Sequence, residues 1–259
     1  MLFLCLSKFN DCPAMEHHAA AKRVVRYLQQ PKDYGLVFTA GTEVFPEPVC
    51  STDSDWAGHK GSRKSTGGFV FILAGGAVSW KTKRQGGIAL SSTEAEYVAL
   101  SEAAKEAIWM RRLLKEIESR IVRRPVLDPA RYHKEEILRQ WEPENEDLLE
   151  EQEEPDKTLV SAKPQVILAD NQGCIKMTEN IYGNTKAKHI DIRYHYTRDA
   201  WQDGKIELQY EPTETMVADI MTKPLPRERH WTLMGSMGVL VRPGDEKREM
   251  VLDVRPRAG

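Results

Sequence analysis

Apolar residues recur with two different periods along this chain, and the switches between them mark out its elements. Ala21, Val24, Val25 and Leu28 follow the i, i+3, i+4, i+7 spacing of a helix face, which predicts a helix over 14–30 ended by Pro31. A short strand is expected at 35–39, where the apolar stretch runs into Ala40-Gly41. Three more strands are predicted at 48–53, 67–74 and 77–82, with Gly75-Gly76 as a hairpin signal between the last two. The longest helical pattern covers 92–117, with Val98, Leu100, Ala104, Ile108, Leu113, Leu114 and Ile117 as its apolar positions. Ser92 or Thr93 is the expected cap. Regular patterning resumes with a strand at 165–169 and helices at 171–179 and 189–202. A strand at 205–210 and a helix at 214–222 follow, the latter ended by Pro224 and Pro226. A terminal helix is expected over 228–240, and 241–259 read as a polar tail.

Early strands in hairpin connection imply an antiparallel edge, whereas strands alternating with helices imply parallel crossovers. The order therefore predicts an α/β fold with a mixed sheet covered by helices on both faces. Composition agrees, since 259 residues with 41% hydrophobic and 29% charged side chains suit a soluble globular chain. A net charge of −2 removes any whole-chain basic signature, so contact with nucleic acid would have to use a local patch. Cys5, Cys12, Cys50 and Cys174 lack metal spacing and read as reduced thiols. No apolar run reaches the roughly 18 residues that cross a bilayer, and Met1 to Leu6 lacks the marks of a signal peptide. The expectation is a cytoplasmic or nuclear protein without a membrane partner. The stretch from Trp141 to Asp156 carries nine acids in sixteen residues and no base, the composition of a solvated, flexible insert.

Four carboxylates stand at places where this fold would gather them. Asp53 and Asp170 end predicted strands, Glu96 opens the long helix, and Asp219 lies in a short one. Hard oxygen ligands of this kind suit Mg²⁺, and paired metals serve phosphodiester cleavage. Asp55 lies two residues from Asp53 on the same strand face, and Glu94 lies about 200° around the helix from Glu96. Local readings compete at every one of these positions: Asp170 before Asn171 suits a helix cap, and Asp219 a solvated helix acid.

Seven segments in order give the chain a family likeness. They are 21–28 (Ala-Lys-Arg-Val-Val-Arg-Tyr-Leu), Ser54-Asp55-Trp56-Ala57-Gly58, 63–68 (Arg-Lys-Ser-Thr-Gly-Gly), 91–100 around Glu96, Asp170-Asn171-Gln172, 188–195 from Lys188 to His195, and 218–225 around Asp219. Together they resemble the ribonuclease H domain of copia-type retrotransposon Pol polyproteins. The resemblance implies a ribonuclease H-like mixed five-stranded sheet flanked by helices. It also implies Asp53, Glu96, Asp170 and Asp219 as catalytic, metal-binding acids holding two Mg²⁺ ions, for which Mn²⁺ can substitute. The implied substrate is an RNA–DNA hybrid, with Ser92, Thr93, Asn171, Gln172, Lys188 and Arg193 expected at the nucleic acid and the reverse transcriptase portion of a parent polyprotein as a further partner.

On this reading 1–45 is the remnant of a reverse transcriptase connection. Segments 46–118 and 165–225 form the ribonuclease H-like domain, 119–164 is the acidic insert, and 226–259 is a C-terminal helix and tail. The chain lacks a Tyr-x-Asp-Asp polymerase motif, and the loop 211–215 before the last acid lacks the histidine common in cellular ribonucleases H. Glu96 is second in the order of acids, which argues against an integrase. A non-catalytic, domesticated or decaying element fragment that binds nucleic acid or a protein is the alternative.

Overall fold

A computed structural model describes residues 6, 9–29, 33–39, 47–58, 61–122, 163–179 and 188–241, with the side chains of 121–122 and 188–194 left aside. The core of the acidic insert and the tail beyond residue 241 lie outside the described residues. The elements in order are α1 (Met15–Gln29), β1 (Tyr34–Leu36), β2 (Val49–Asp55), β3 (Thr66–Leu73), β4 (Gly76–Arg84) and α2 (Ser92–Val122). They continue with β5 (Gln165–Ala169), α3 (Gln172–Glu179), α4 (Lys188–Gln202), β6 (Ile206–Tyr210), α5 (Asp219–Thr222), α6 (Arg227–Ser236) and β7 (Val239–Val241).

Five strands form one sheet in the order β4-β3-β2-β5-β6. The β2–β3 and β3–β4 pairs are antiparallel, and β2–β5 and β5–β6 are parallel. This is the mixed sheet that the two connection styles predict. The β3–β4 turn is centred on Ala74 (φ 51°) and Gly75 (φ 78°). Two successive left-handed residues match the twist of a two-residue hairpin, one position earlier than the Gly75-Gly76 signal suggested.

Strand alternation divides the sheet's side chains between two cores. Cys50, Phe69, Phe71, Ile167, Ala169, Ile206 and Leu208 face α2, α3 and α4. Small residues on α2 (Ala103, Ala104 and Ala107, all 0% exposed) let that helix lie close to the sheet, with Tyr97 and Leu100 filling the space between. On the other face, Val70, Ala77 and Met237 pack with Ile72, Val217, Ile220 and Met221.

An early and a late segment of the chain meet on this second face. β1 pairs antiparallel with β7, Tyr34 opposite Val241 and Leu36 opposite Val239. The Tyr27 hydroxyl of α1 reaches the Met234 sulfur of α6 at 3.6 Å, and the Tyr34 and Trp231 rings lie 5.6 Å apart. The described parts of segments 1–45 and 226–259 are thus packed on each other. β7 takes the place of the last turns of the helix expected over 228–240, because Gly238, at φ 73°, turns the chain out of α6. The helix expected over 214–222 shrinks to four residues, since Thr215 and Met216 close local turns on Pro212 and Thr213 instead. No helix among the described residues is long and apolar enough to cross a membrane.

Candidate active site

Strand register fixes the first two acids. Thr52 on β2 lies opposite Ala169 at the end of the parallel strand β5, so Asp53 and Asp170 come next in line side by side; β2 runs on to Asp55, two residues past the end expected for it, because β3 keeps pairing with it. Glu96 arrives from the second turn of α2, which crosses β2. One carboxylate oxygen from each of Asp53, Glu96 and Asp170 lies within 4.8 Å of the others. Asp53 is 0% and Glu96 7% exposed, whereas Asp170 is half-buried and opens the group to solvent.

The start of α2 explains why Glu96 and not Glu94 turns inward. Ser91 Oγ accepts from the Glu94 N–H at 3.1 Å, so the cap is Ser91, one residue before the expected Ser92 or Thr93. Glu94 reaches back over the helix start and accepts from the Leu90 N–H at 2.7 Å. Asp55 also finds local employment: its carboxylate folds over Gly58, where a Cβ would overlap Asp55 Oδ2.

Three carboxylates this close repel one another when ionised. Burial first, then the charges of Asp53 and Asp170, push the Glu96 carboxyl up to about 9, against a smaller opposing effect of the Ser54 N–H and Lys223. A buried, proton-retaining oxygen cluster fits a divalent cation, which would relieve the same repulsion.

Asp219 is close by and differently engaged. It is 1% exposed, with Oδ1 on Lys223 Nζ at 2.6 Å and Oδ2 on the Arg229 guanidinium. Lys223 also reaches Asp53 Oδ1 at 2.9 Å, and the Thr222 hydroxyl donates to Asp53 Oδ2. The fourth acid is therefore linked to Asp53 through a shared ammonium, outside the group in which Asp53, Glu96 and Asp170 converge. Burial alone would lower the Lys223 pKa, but hydrogen bonds and charge from Asp219 and Asp53 outweigh it and push it up. Arg229 carries no signal in the sequence; Lys223 lies within the 218–225 segment without a role expected for it, and its i, i+4 spacing to Asp219 is the sign of one.

Close backbone approach holds α5 over Asp53. Gly68 lies opposite Asp53 in the sheet, and a Cβ there would stand 2.7 Å from Met221 Cβ and 3.0 Å from Thr222 Cγ2. Gly68→Ala should destabilise the protein by about 1–3 kcal/mol through this overpacking. Urea unfolding measures it.

The expected nucleic-acid contacts divide. Asn171 Oδ1 accepts from the Cys174 N–H at 3.0 Å and so caps α3, leaving exposed Gln172 beside it. Ser92 is exposed, and Thr93 stands where a Cβ on Gly173 would meet it at 3.4 Å, so the starts of α2 and α3 adjoin next to the carboxylates. Lys188 and Arg193 lie on α4 with side chains outside the described residues. Trp56 and Trp80 are 48% and 54% exposed, whereas Tyr97 is fully buried. In the loop where a histidine was sought, Thr213 donates to Asp170 Oδ2 at 2.9 Å. Lys81, Lys83, Arg84 and Gln85 line a cleft whose helix side is Val98, Ala99 and Glu102 of α2, with Lys81 paired to Glu102 at 3.1 Å.

The sheet order, the crossover through α2 and the acids gathered beside the central strands β2 and β5 define a ribonuclease H-like fold. Solved structures of similar fold include the N-terminal ribonuclease H domain of a Mycobacterium tuberculosis protein (11% identity, 74% of this chain and 98% of that one, TM-score 0.40). Another is a ribonuclease H1 isolated from compost (12% identity, 68% and 93%, TM-score 0.41). No protein-family model matches the chain. Among curated relatives, it is 31% identical over 226 residues to the retrovirus-related Pol polyprotein of transposon TNT 1-94 from Nicotiana tabacum, covering 86% of this chain. It is 30% identical over 234 residues to that of transposon RE1 from Arabidopsis thaliana, covering 90%. The chain spans 14% and 13% of those polyproteins. A stretch of 106 residues, 40% of this chain, is 54% identical to secreted RxLR effector protein 161 of Plasmopara viticola and covers 72% of it. The chain belongs to the copia-type retrotransposon Pol family and corresponds to its ribonuclease H domain.

Proposed function

We propose that this domain is a metal-dependent endonuclease that hydrolyses the RNA strand of RNA–DNA hybrids. The observation that carries the reading is the convergence of Asp53, Glu96 and Asp170, from β2, α2 and the end of β5, on one partly open point. A divalent cation held there would activate water and stabilise the leaving 3′-oxygen. Hard carboxylate oxygens favour Mg²⁺, with Mn²⁺ as a substitute.

The chain's own residues set the stage. Asp53 is fixed by Thr222 and Lys223, Glu96 by the Ser54 N–H, and Asp170 by Thr213. Asp170, the most open of the three, faces arriving substrate. Ser92, Thr93 and Gln172 flank it, where hydroxyl and amide groups suit minor-groove edges and 2′-hydroxyls, the atoms that separate RNA from DNA. Lys83 and Arg84, beside the Lys81–Glu102 pair, supply local positive charge for backbone phosphates on a chain with no net positive charge. The reverse transcriptase portion of a parent polyprotein would deliver the hybrid.

Asp170→Asn tests the assignment. It keeps size and a partner for Thr213 while removing a ligand charge, so cleavage of a hybrid with Mg²⁺ should fall by at least about a hundredfold, the scale on which preorganised electrostatic groups act. The folded fraction, read by circular dichroism, should not change. Equal cleavage by both proteins would contradict the reading.

A further inference from the structure

We infer that the Lys223 ammonium is a tethered cation that stands in for a second divalent ion between Asp53 and Asp219. The inference rests on the nuclease reading and narrows it to one exchangeable metal ion, at Asp53, Glu96 and Asp170.

Backbone chemistry delivers the lysine. α5 lasts a single turn and closes with the Lys223 N–H on the Asp219 carbonyl at 2.9 Å. Lys223 precedes Pro224, whose ring disfavours the helical region for the residue before it, and Lys223 accordingly adopts φ −118°, ψ 145°. The extended residue ends the helix and leaves its side chain free to run back along the turn. Nζ then lies 2.6 Å from Asp219 Oδ1 and 2.9 Å from Asp53 Oδ1, bridging acids on two elements that face each other across the sheet surface.

The remaining oxygens of these acids are also taken. Asp219 Oδ2 accepts from Arg229, and Asp53 Oδ2 accepts from Thr222. Asp219 is 1% exposed, so a metal ion could gain it as a ligand only by breaking charge-assisted contacts inside the protein. Among the described residues no cation is so placed at Asp170 or Glu96: Asp170 takes a neutral hydroxyl from Thr213, and Glu96 a backbone N–H. Asp219 is thus neutralised by Lys223 and Arg229, Asp53 is shared between Lys223 and the open point, and Glu96 and Asp170 await an external cation.

Counting bound metal separates these ideas without reference to turnover. Mn²⁺ added to the metal-free chain is followed by electron paramagnetic resonance for free ion, and the thermal midpoint is recorded alongside. Wild type should bind one Mn²⁺ per chain. Lys223→Met should bind a second, at least tenfold tighter than any second ion on wild type, and should show a lower midpoint without metal that Mn²⁺ restores. Lys223→Arg, which keeps the charge, should return the count to one and secures the test if the methionine variant does not fold. Two equally tight ions on wild type, or an unchanged count and midpoint in Lys223→Met, would overturn the inference while leaving the nuclease reading intact. No bound Mn²⁺ on wild type would overturn both.

Discussion

Glu96→Gln is expected to make the metal-free protein more stable at pH 8 while removing its cleavage activity. The folded-state carboxyl titrates at about 9, against an ordinary value of 4.5. Between those values the native protein holds a proton that the unfolded chain has released. Raising the pH through this window therefore lowers stability: the penalty is absent below about pH 4.5, grows with pH, and is complete above about 9. An amide carries no such penalty. The gain for Glu96→Gln should be on the order of a few kcal/mol at pH 8 and vanish near pH 4, because each tenfold difference in proton affinity between the folded and unfolded chain is worth about 1.4 kcal/mol. Urea unfolding in the presence of a chelator at both pH values checks it. Cleavage, in contrast, should drop by at least about a hundredfold, because the ligand charge is lost. A variant that gains stability and loses activity marks Glu96 as a residue kept at a cost to the fold, and saturating Mg²⁺ should erase the stability difference by favouring ionised Glu96.

Gly238→Ala should be the most damaging small substitution far from the carboxylates, at about 2–4 kcal/mol, combining strain at positive φ with overpacking. Gly238 has φ 73°, and a Cβ there would stand 2.4 Å from the Gly75 carbonyl oxygen, 2.8 Å from Gly76 Cα and 3.0 Å from the Val37 carbonyl oxygen. Its own carbonyl accepts from the Val37 N–H at 2.8 Å, and the neighbouring Met237 carbonyl accepts from Ala77 at 2.9 Å. One residue thus joins β1, the β3–β4 turn and β7. Thermal unfolding should show a single transition at lower temperature, with cleavage per folded molecule retained. Two separate transitions in wild type would mean that these early and late segments form a unit apart from the sheet.

The parts of this structure that alternation or helical period governs could be read from the sequence. β2 to β4, α2, β5 and β6 lie within a few residues of where those patterns put them, and Asp53 and Glu96 face inward as period and family likeness together suggested. What escaped depends on contacts distant in sequence. β7 is three residues long, and only β1, some 200 positions earlier, makes it a strand. Residues 214–218 have helical composition, yet the Thr215 hydroxyl bonds the Pro212 carbonyl and holds a turn in its place. Lys223 shows its link to Asp219 by spacing, but its link to Asp53 exists only after β3 has brought α5 across β2. Exposed Trp56 looks like core by composition; its ring nitrogen instead donates to the Ala89 carbonyl at 3.1 Å and props the loop before α2.

The most direct test of the central claim is cleavage of an end-labelled RNA strand annealed to DNA, assayed with Mg²⁺ and with a chelator, beside the same RNA single-stranded and the same sequence as duplex DNA. If the carboxylates that converge from β2, α2 and the end of β5 act as proposed, the result is internal cuts in the hybrid's RNA strand, dependent on Mg²⁺, with the DNA strand untouched. An intact hybrid after incubation with folded protein and either Mg²⁺ or Mn²⁺ would contradict it.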